Sequence, residues 1–169
     1  VIVLAGARQC GKTTLAKGLK LPGTIYRTLD DVTLLESALN DPHGFVYHGD
    51  ELMIIDEIQK APILLQAIKK DVDENKNFGR FLLTGSANIQ SLPSVNESLA
   101  GRLRNIRLRP LVQAEIHTTL ANFLQWAFNQ NFPTTYAHDS KDSYITMALR
   151  GGYPEPLRLQ SIREAHQWY

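Results

Sequence analysis

The chain has 169 residues, enough for one domain with a real core, or for one domain and part of a second. Hydrophobic residues make up 43% and charged residues 21%, and 18 Lys and Arg stand against 17 Asp and Glu, for a net charge of +1. This ordinary globular balance indicates neither nucleic acid nor an acidic membrane as partner, although it leaves room for a local basic patch. The single Cys10 rules out an internal disulfide. With no signal peptide and no apolar run of membrane length, it points to a reducing, cytoplasmic setting. The chain has no initiator Met, and SIREAHQWY still carries a helical pattern at Tyr169, so it reads as a piece of a longer protein.

In chain order, the apolar run VIVLA (1–5) predicts a buried strand and leads directly into GARQCGKTTL (6–15). A helix is expected from Lys12 to Leu19, stopping near Gly23. TIYRTL (24–29) predicts a second strand, Val32 to Asn40 a second helix, and LMII (52–55) a third strand. In 61–74, Ala61, Leu64, Leu65, Ile68 and Val72 share one helical face, with Lys69, Lys70, Asp73 and Glu74 opposite. RFLLT (80–84) and NIRLRP (105–110) complete the strands. Short runs dense in Ile, Val and Leu suit strands buried on both faces. Their alternation with helices predicts an α/β fold, a mostly parallel sheet with helices on both sides.

After Pro110 the pattern turns helical. Ile116, Leu120, Phe123, Leu124, Ala127 and Phe128 share a face in 113–128, and with Trp126 the aromatics read as core or interdomain packing. A polar stretch follows (129–142), then a helix-like segment to Arg150, a Gly and Pro break in GGYPEP (151–156), and a helical pattern over 157–169. The expected division is a core over 1–112 and a helical region over 113–169 that leads into a further C-terminal domain.

The spacing Gly6-x-x-x-x-Gly11-Lys12-Thr13 is that of a phosphate-binding loop. Gly6 and Gly11 permit turns that a side chain would obstruct, so the loop's N–H groups can face phosphate oxygens. Lys12 would reach the β and γ phosphates, and Thr13 would offer its hydroxyl to Mg²⁺. Four fixed positions match by chance in roughly 1% or less of chains this long. An apolar strand before the motif and a helical pattern after it supply the required context. The expected nucleotide-binding set is Gly6, Ala7, Arg8, Gln9 and Cys10, then Gly11, Lys12, Thr13 and Thr14. Within it, Arg8 and Gln9 read either as phosphate contacts or as residues projecting to solvent. Cys10 reads as a small residue that fits a tight loop, or as a thiol activated by the nearby Lys.

LMIIDEIQK (52–60) ends an apolar strand with two acids. At the carboxyl end of a parallel strand, Asp56 would lie beside the loop and hold a Mg²⁺ water. Glu57 would orient and polarise the attacking water; the alternative is that both acids simply open a loop or cap a helix. RFLLTGSAN (80–88) ends polar, and Thr84 and Ser86 are candidates to sense the γ-phosphate and the water. Arg102, Arg104, Arg107 and Arg109 crowd into 102–109. Arg102, ahead of its strand and read as lying at the nucleotide edge, is the candidate arginine finger, in cis or from a neighbouring subunit; the alternative is a surface or structural ion pair. The other three read as a solvated strand edge. Asp31 reads as a helix cap, and the five His show no ligand spacing.

The ordered series GARQCGKTTL, LDD, DPHGFV, LMIIDEIQKAP, FLLTGSAN, SLAGRL and PL-x-x-AEI resembles AAA+-type ATPases. It is most similar to bacterial and archaeal ATP-binding proteins with a C-terminal domain of unknown function, and GGYPEP resembles the segment near that later domain. The resemblance spans 1–116 and 151–156. It implies a three-layer phosphate-loop core with sheet order 5-1-4-3-2, ATP as nucleotide, and the roles given to Lys12, Thr13, Asp56, Glu57 and Arg102. The family usually carries Asn at the sensing position, where this chain offers Thr84 and Ser86.

The leading expectation is a Mg²⁺-dependent ATPase whose hydrolysis drives a conformational cycle, in a homo-oligomer if Arg102 acts in trans. The alternative is a slowly hydrolysing, nucleotide-dependent switch or scaffold. A small-molecule phosphotransferase ranks third, because no acceptor site or lid motif is evident.

Overall fold

A computed structural model describes residues 1–19, 21–86, 99, 101–119, 123–130 and 140–169. The end of RFLLTGSAN, positions 98 and 100 of SLAGRL, Leu120, the Phe123 side chain, His138 and most of the polar stretch lie outside the described residues. Five strands form one sheet: β1 (Ile2–Gly6), β2 (Ile25–Thr28), β3 (Met53–Asp56), β4 (Phe81–Ser86) and β5 (Arg104–Leu108). Every pairing is parallel. The order β2-β3-β4-β1-β5 is 5-1-4-3-2 read from the opposite edge.

Alternation along the strands divides the core in two. Leu4, Ile54 and Leu82 face Ala16 of α1 (Lys12–Gly18). Val3, Ala5, Met53, Ile55, Phe81 and Leu83 face the other way. There they meet α2 (Val32–Asn40), α3 (Pro42–Val46) and α4 (Leu64–Glu74), through residues such as Ala38, Phe45, Leu65 and Ile68. The result is three layers with the sheet in the middle. Asp31 caps α2: its Oδ1 accepts from Thr33 N at 2.8 Å and Leu34 N at 3.2 Å. The short helix α3 was not expected from the sequence; Asp41 caps it, with Pro42 opening its first turn. β5 departs from the expectation of strands buried on both faces. It lies at the sheet edge beside β1, and Arg104, Asn105, Ile106 and Arg107 are exposed. Its arginines suit a solvated edge that discourages pairing with other strands.

The chain divides into two compact units, Val1–Arg109 and Pro110–Tyr169. The second contains α5 (Gln113–Ile116), α6 (Phe123–Asn129), α7 (Lys141–Arg150), α8 (Pro154–Arg158) and α9 (Ile162–Trp168). Two sequence expectations are corrected here. The continuous helix over 113–128 is two helices, because α5 stops at Ile116 and Thr118 takes a left-handed φ of 52°. The shared apolar face is thereby split, and Phe128, expected to pack, is 84% exposed. GGYPEP is only half a break: Gly151 (φ 63°) ends α7, but Pro154 starts α8 at once. Ser161 then caps a separate α9. Among the described residues no helix is long and apolar enough to cross a membrane.

Candidate functional site

Parallel pairing brings the carboxyl ends of β1 to β4 to one rim of the sheet. In register, Gly6 stands opposite Ser86 on one side and Leu108 on the other, while Thr28 stands opposite Asp56. The loop after β1 begins at a position that only glycine fits. A Cβ on Gly6 would lie 2.4 Å from the Leu108 carbonyl oxygen and 2.9 Å from Cys10 Sγ. Cys10 is buried, with Sγ 3.8 Å from the Leu108 carbonyl oxygen, so it fills the inside of the turn. Gly11 closes the loop at φ 100° and starts α1. Arg8, Gln9 and Thr14 are exposed along the rim, and Ala7 is half-buried.

Lys12 points back into this loop and is 6% exposed. Its Nζ donates to the Gly6 carbonyl at 3.1 Å and the Ala7 carbonyl at 2.6 Å. No carboxylate among the described residues forms an ion pair with it. A buried ammonium normally has an opposite charge beside it, so two carbonyl dipoles leave this one with room for an anion.

Asp56 ends β3 fully buried, and three hydroxyls converge on its carboxylate. Thr13 Oγ1 donates to Oδ2 at 2.9 Å, with Oδ1 at 3.3 Å. Tyr26 donates to Oδ2 at 2.7 Å, and Thr84 donates to Oδ1. Tyr26 belongs to this group because it lies two residues before Thr28 on β2, and residues two apart share a face. Burial, then the hydrogen bond to Asp56 and its charge, raise the Tyr26 phenol above its ordinary value, so it stays a donor. Lys17 Nζ of α1 lies 5.0 Å from the centre of its ring.

Glu57 follows in a left-handed backbone, φ 60°. Its N–H donates to Thr84 Oγ1 at 3.3 Å, and its carboxylate accepts from Gln59 Nε2. Lys60 pairs with Asp30 at 2.6 Å, linking the 3-10 turn Ile58–Lys60 to the end of β2. Thr84 is 0% exposed and engages both acids, whereas Ser86 at the strand end is partly exposed on the rim. Sequence reasoning missed Tyr26 and Gln59. Tyr26's parity with Asp56 emerges only once β2 is paired with β3.

Arg102 is not part of this rim. Arg104 pairs with Ile2, and the Arg102 carbonyl accepts from the Val1 amino group at 3.0 Å. Arg102 therefore lies at the amino end of β1, a strand length from the loop, about 16 Å at ~3.3 Å per residue. The expectation that it sits at the nucleotide edge is corrected, because the start of a parallel strand faces away from the rim where its neighbours end. Its guanidinium pairs with Asp73 of α4.

Could the rim hold a nucleotide and Mg²⁺? Lys12 offers an uncompensated positive charge at the loop, and Thr13 and Asp56 offer oxygen donors beside it. Mg²⁺ takes one or two protein oxygens together with phosphate and water, so this donor set fits. Among the described residues no group of three or more His, Cys, Asp or Glu is arranged to hold a metal ion. A cavity of about 560 Å³ lies in the second unit, lined by residues including His117, Asp142 and Arg150, and none of its residues belongs to the rim.

The chain is 32% identical over 155 residues to an uncharacterized protein of Mycobacterium bovis and, to the same extent, to one of Mycobacterium tuberculosis. Each match covers 90% of this chain and 34% of the relative, so the chain spans about a third of their length. The structure of C. elegans PCH-2 matches with a TM-score of 0.39 and 16% identity, over 81% of this chain and 42% of that one. The AAA domain model matches residues 1–117, the whole sheet and its rim, and the chain belongs to the AAA domain family.

Proposed function

We propose that this chain binds ATP with Mg²⁺ and hydrolyses it, and that the cycle is coupled to a conformational change. The observation that carries the reading is Lys12, a buried cation that among the described residues has carbonyl partners only, at the rim that gathers Asp56 and Glu57. In this reading the loop from Gly6 to Thr14 would cradle the phosphates. Lys12 would place its charge on them, and Thr13 and Asp56 would hold the cation. Mg²⁺, when bound, neutralises charge on phosphate oxygens. Glu57 would orient the attacking water, and Thr84 keeps its backbone N–H and the Asp56 carboxylate in fixed relation. Catalysis of this kind is positioning and charge stabilisation.

Arg102 lies too far from its own loop to act there, so we assign its charge to a neighbouring copy's site in a homo-oligomer.

The second reading, a slowly hydrolysing switch, is favoured by one contact. Gln59 donates to one oxygen of the Glu57 carboxylate, so the group that would orient water already holds one partner. Steady-state ATP hydrolysis by the full-length protein and by Glu57→Gln distinguishes the two. The ATPase reading expects turnover to fall about 10²- to 10³-fold in the variant with ATP affinity retained. Equal, negligible turnover in both proteins, with ATP still bound, leaves the switch.

A further inference from the structure

Asp56 is held from three directions. Thr13 comes from α1, Tyr26 from β2 and Thr84 from β4, so the strands on either side of β3 each contribute one hydroxyl. A carboxylate oxygen has two good acceptor positions. On Oδ2 both are used, by Thr13 at 2.9 Å and Tyr26 at 2.7 Å. A hydroxyl has one proton. When Thr13 donates it to Asp56, its lone pairs turn elsewhere, and their direction depends on where Oδ2 is held.

We infer that Tyr26 is a positioning residue that acts through Asp56 to aim the Thr13 hydroxyl, and so sets how strongly nucleotide binding responds to Mg²⁺. This rests on the ATP and Mg²⁺ reading above. Tyr26 is suited to the task because two contacts hold its ring. Lys17 lies over the ring, and the ring packs with the core cluster of Leu4, Ala16, Ile54 and Leu82. An anchored ring presents its hydroxyl from a fixed point, at little cost in side-chain entropy. A partly buried tyrosine that only needed an acceptor would share the same contact. The two roles differ in what they do to the cation dependence.

The test uses the full-length protein and a fluorescent ADP analogue, titrated at a series of Mg²⁺ concentrations and in EDTA. Tyr26→Phe keeps the ring and removes only the hydroxyl. Its half-maximal Mg²⁺ concentration is expected to rise roughly 5- to 10-fold, the scale of one hydrogen bond, with affinity in EDTA unchanged. In an Asp56→Asn background the same substitution should shift nothing further, because coupled residues are not additive. An unchanged Mg²⁺ midpoint overturns the inference, as does equal weakening with and without Mg²⁺. If the wild-type protein binds the analogue with no response to Mg²⁺, the reading of the site fails as well. Should Tyr26→Phe fail to fold, the wild-type protein still decides. The Tyr26 Cζ resonance should shift when Mg²⁺ is added to the ADP-analogue complex, and a static resonance counts against the inference.

Discussion

Two buried cations sit at opposite ends of the same sheet, and the fold treats them differently. Arg80, just before β4, is 2% exposed. Its guanidinium pairs with Asp71 of α4, and Nη2 also donates to the His48 and Gly49 carbonyls at 3.3 and 3.1 Å. The Phe81 ring lies 5.6 Å from Cζ. Lys12, at the rim, has carbonyls alone among the described residues. The first cation is neutralised by its own protein and ties the 48–49 loop, α4 and β4 together. The second is held in place but left short of a negative charge. A full counter-charge satisfies the first cation within the protein, whereas carbonyl dipoles leave the second with room for an anion.

The sharpest way to break this comparison is to remove each cation. Arg80→Met leaves Asp71 and two carbonyls without their donor, and should cost about 3–5 kcal/mol of stability, near the lower figure because Asp71 is partly exposed. Urea unfolding measures it, and nucleotide affinity of the folded fraction should not change. Lys12→Met should do the reverse. Affinity for ATP should fall roughly 100-fold, or about 2.7 kcal/mol. The melting temperature of the nucleotide-free protein should hold or rise, because an uncompensated buried charge is gone. A drop of several degrees would make Lys12 a structural cation like Arg80, and the contrast would collapse. The smallest effect belongs to Arg102→Ala. Its pair with Asp73 is substantially exposed, so stability should change by less than about 1 kcal/mol in urea. Under the proposed assembly, ATP turnover per chain should nonetheless fall; unchanged turnover would remove Arg102 from the reaction.

Much of the rim was legible in the sequence because its signals are local. The loop needs glycines and a lysine at fixed offsets, and Gly6, Gly11 and Lys12 supply them within a few residues. Asp56 and Glu57 end an apolar run, and Val32–Asn40 is helical over the expected span. Thr84 was legible as a polar residue at a strand end, but its burial against both acids was not, because that depends on β4 lying next to β3. The helix expected over 113–128 misled for a related reason. Its apolar spacing continues through Thr118, where the backbone turns left-handed.

The sequence by itself determined that this chain builds a parallel α/β sheet with a glycine-bounded loop and an acid pair at strand ends, because spacing and periodicity act over a few residues. Only the tertiary structure decided that Tyr26 reaches Asp56, that Gln59 engages Glu57, and that Arg102 lies at the far end of β1. For Tyr26 and Arg102 the reason is pairing: strand direction and register are set between residues far apart in the chain. For Gln59 it is backbone shape, the left-handed turn at Glu57 that leads into Ile58–Lys60.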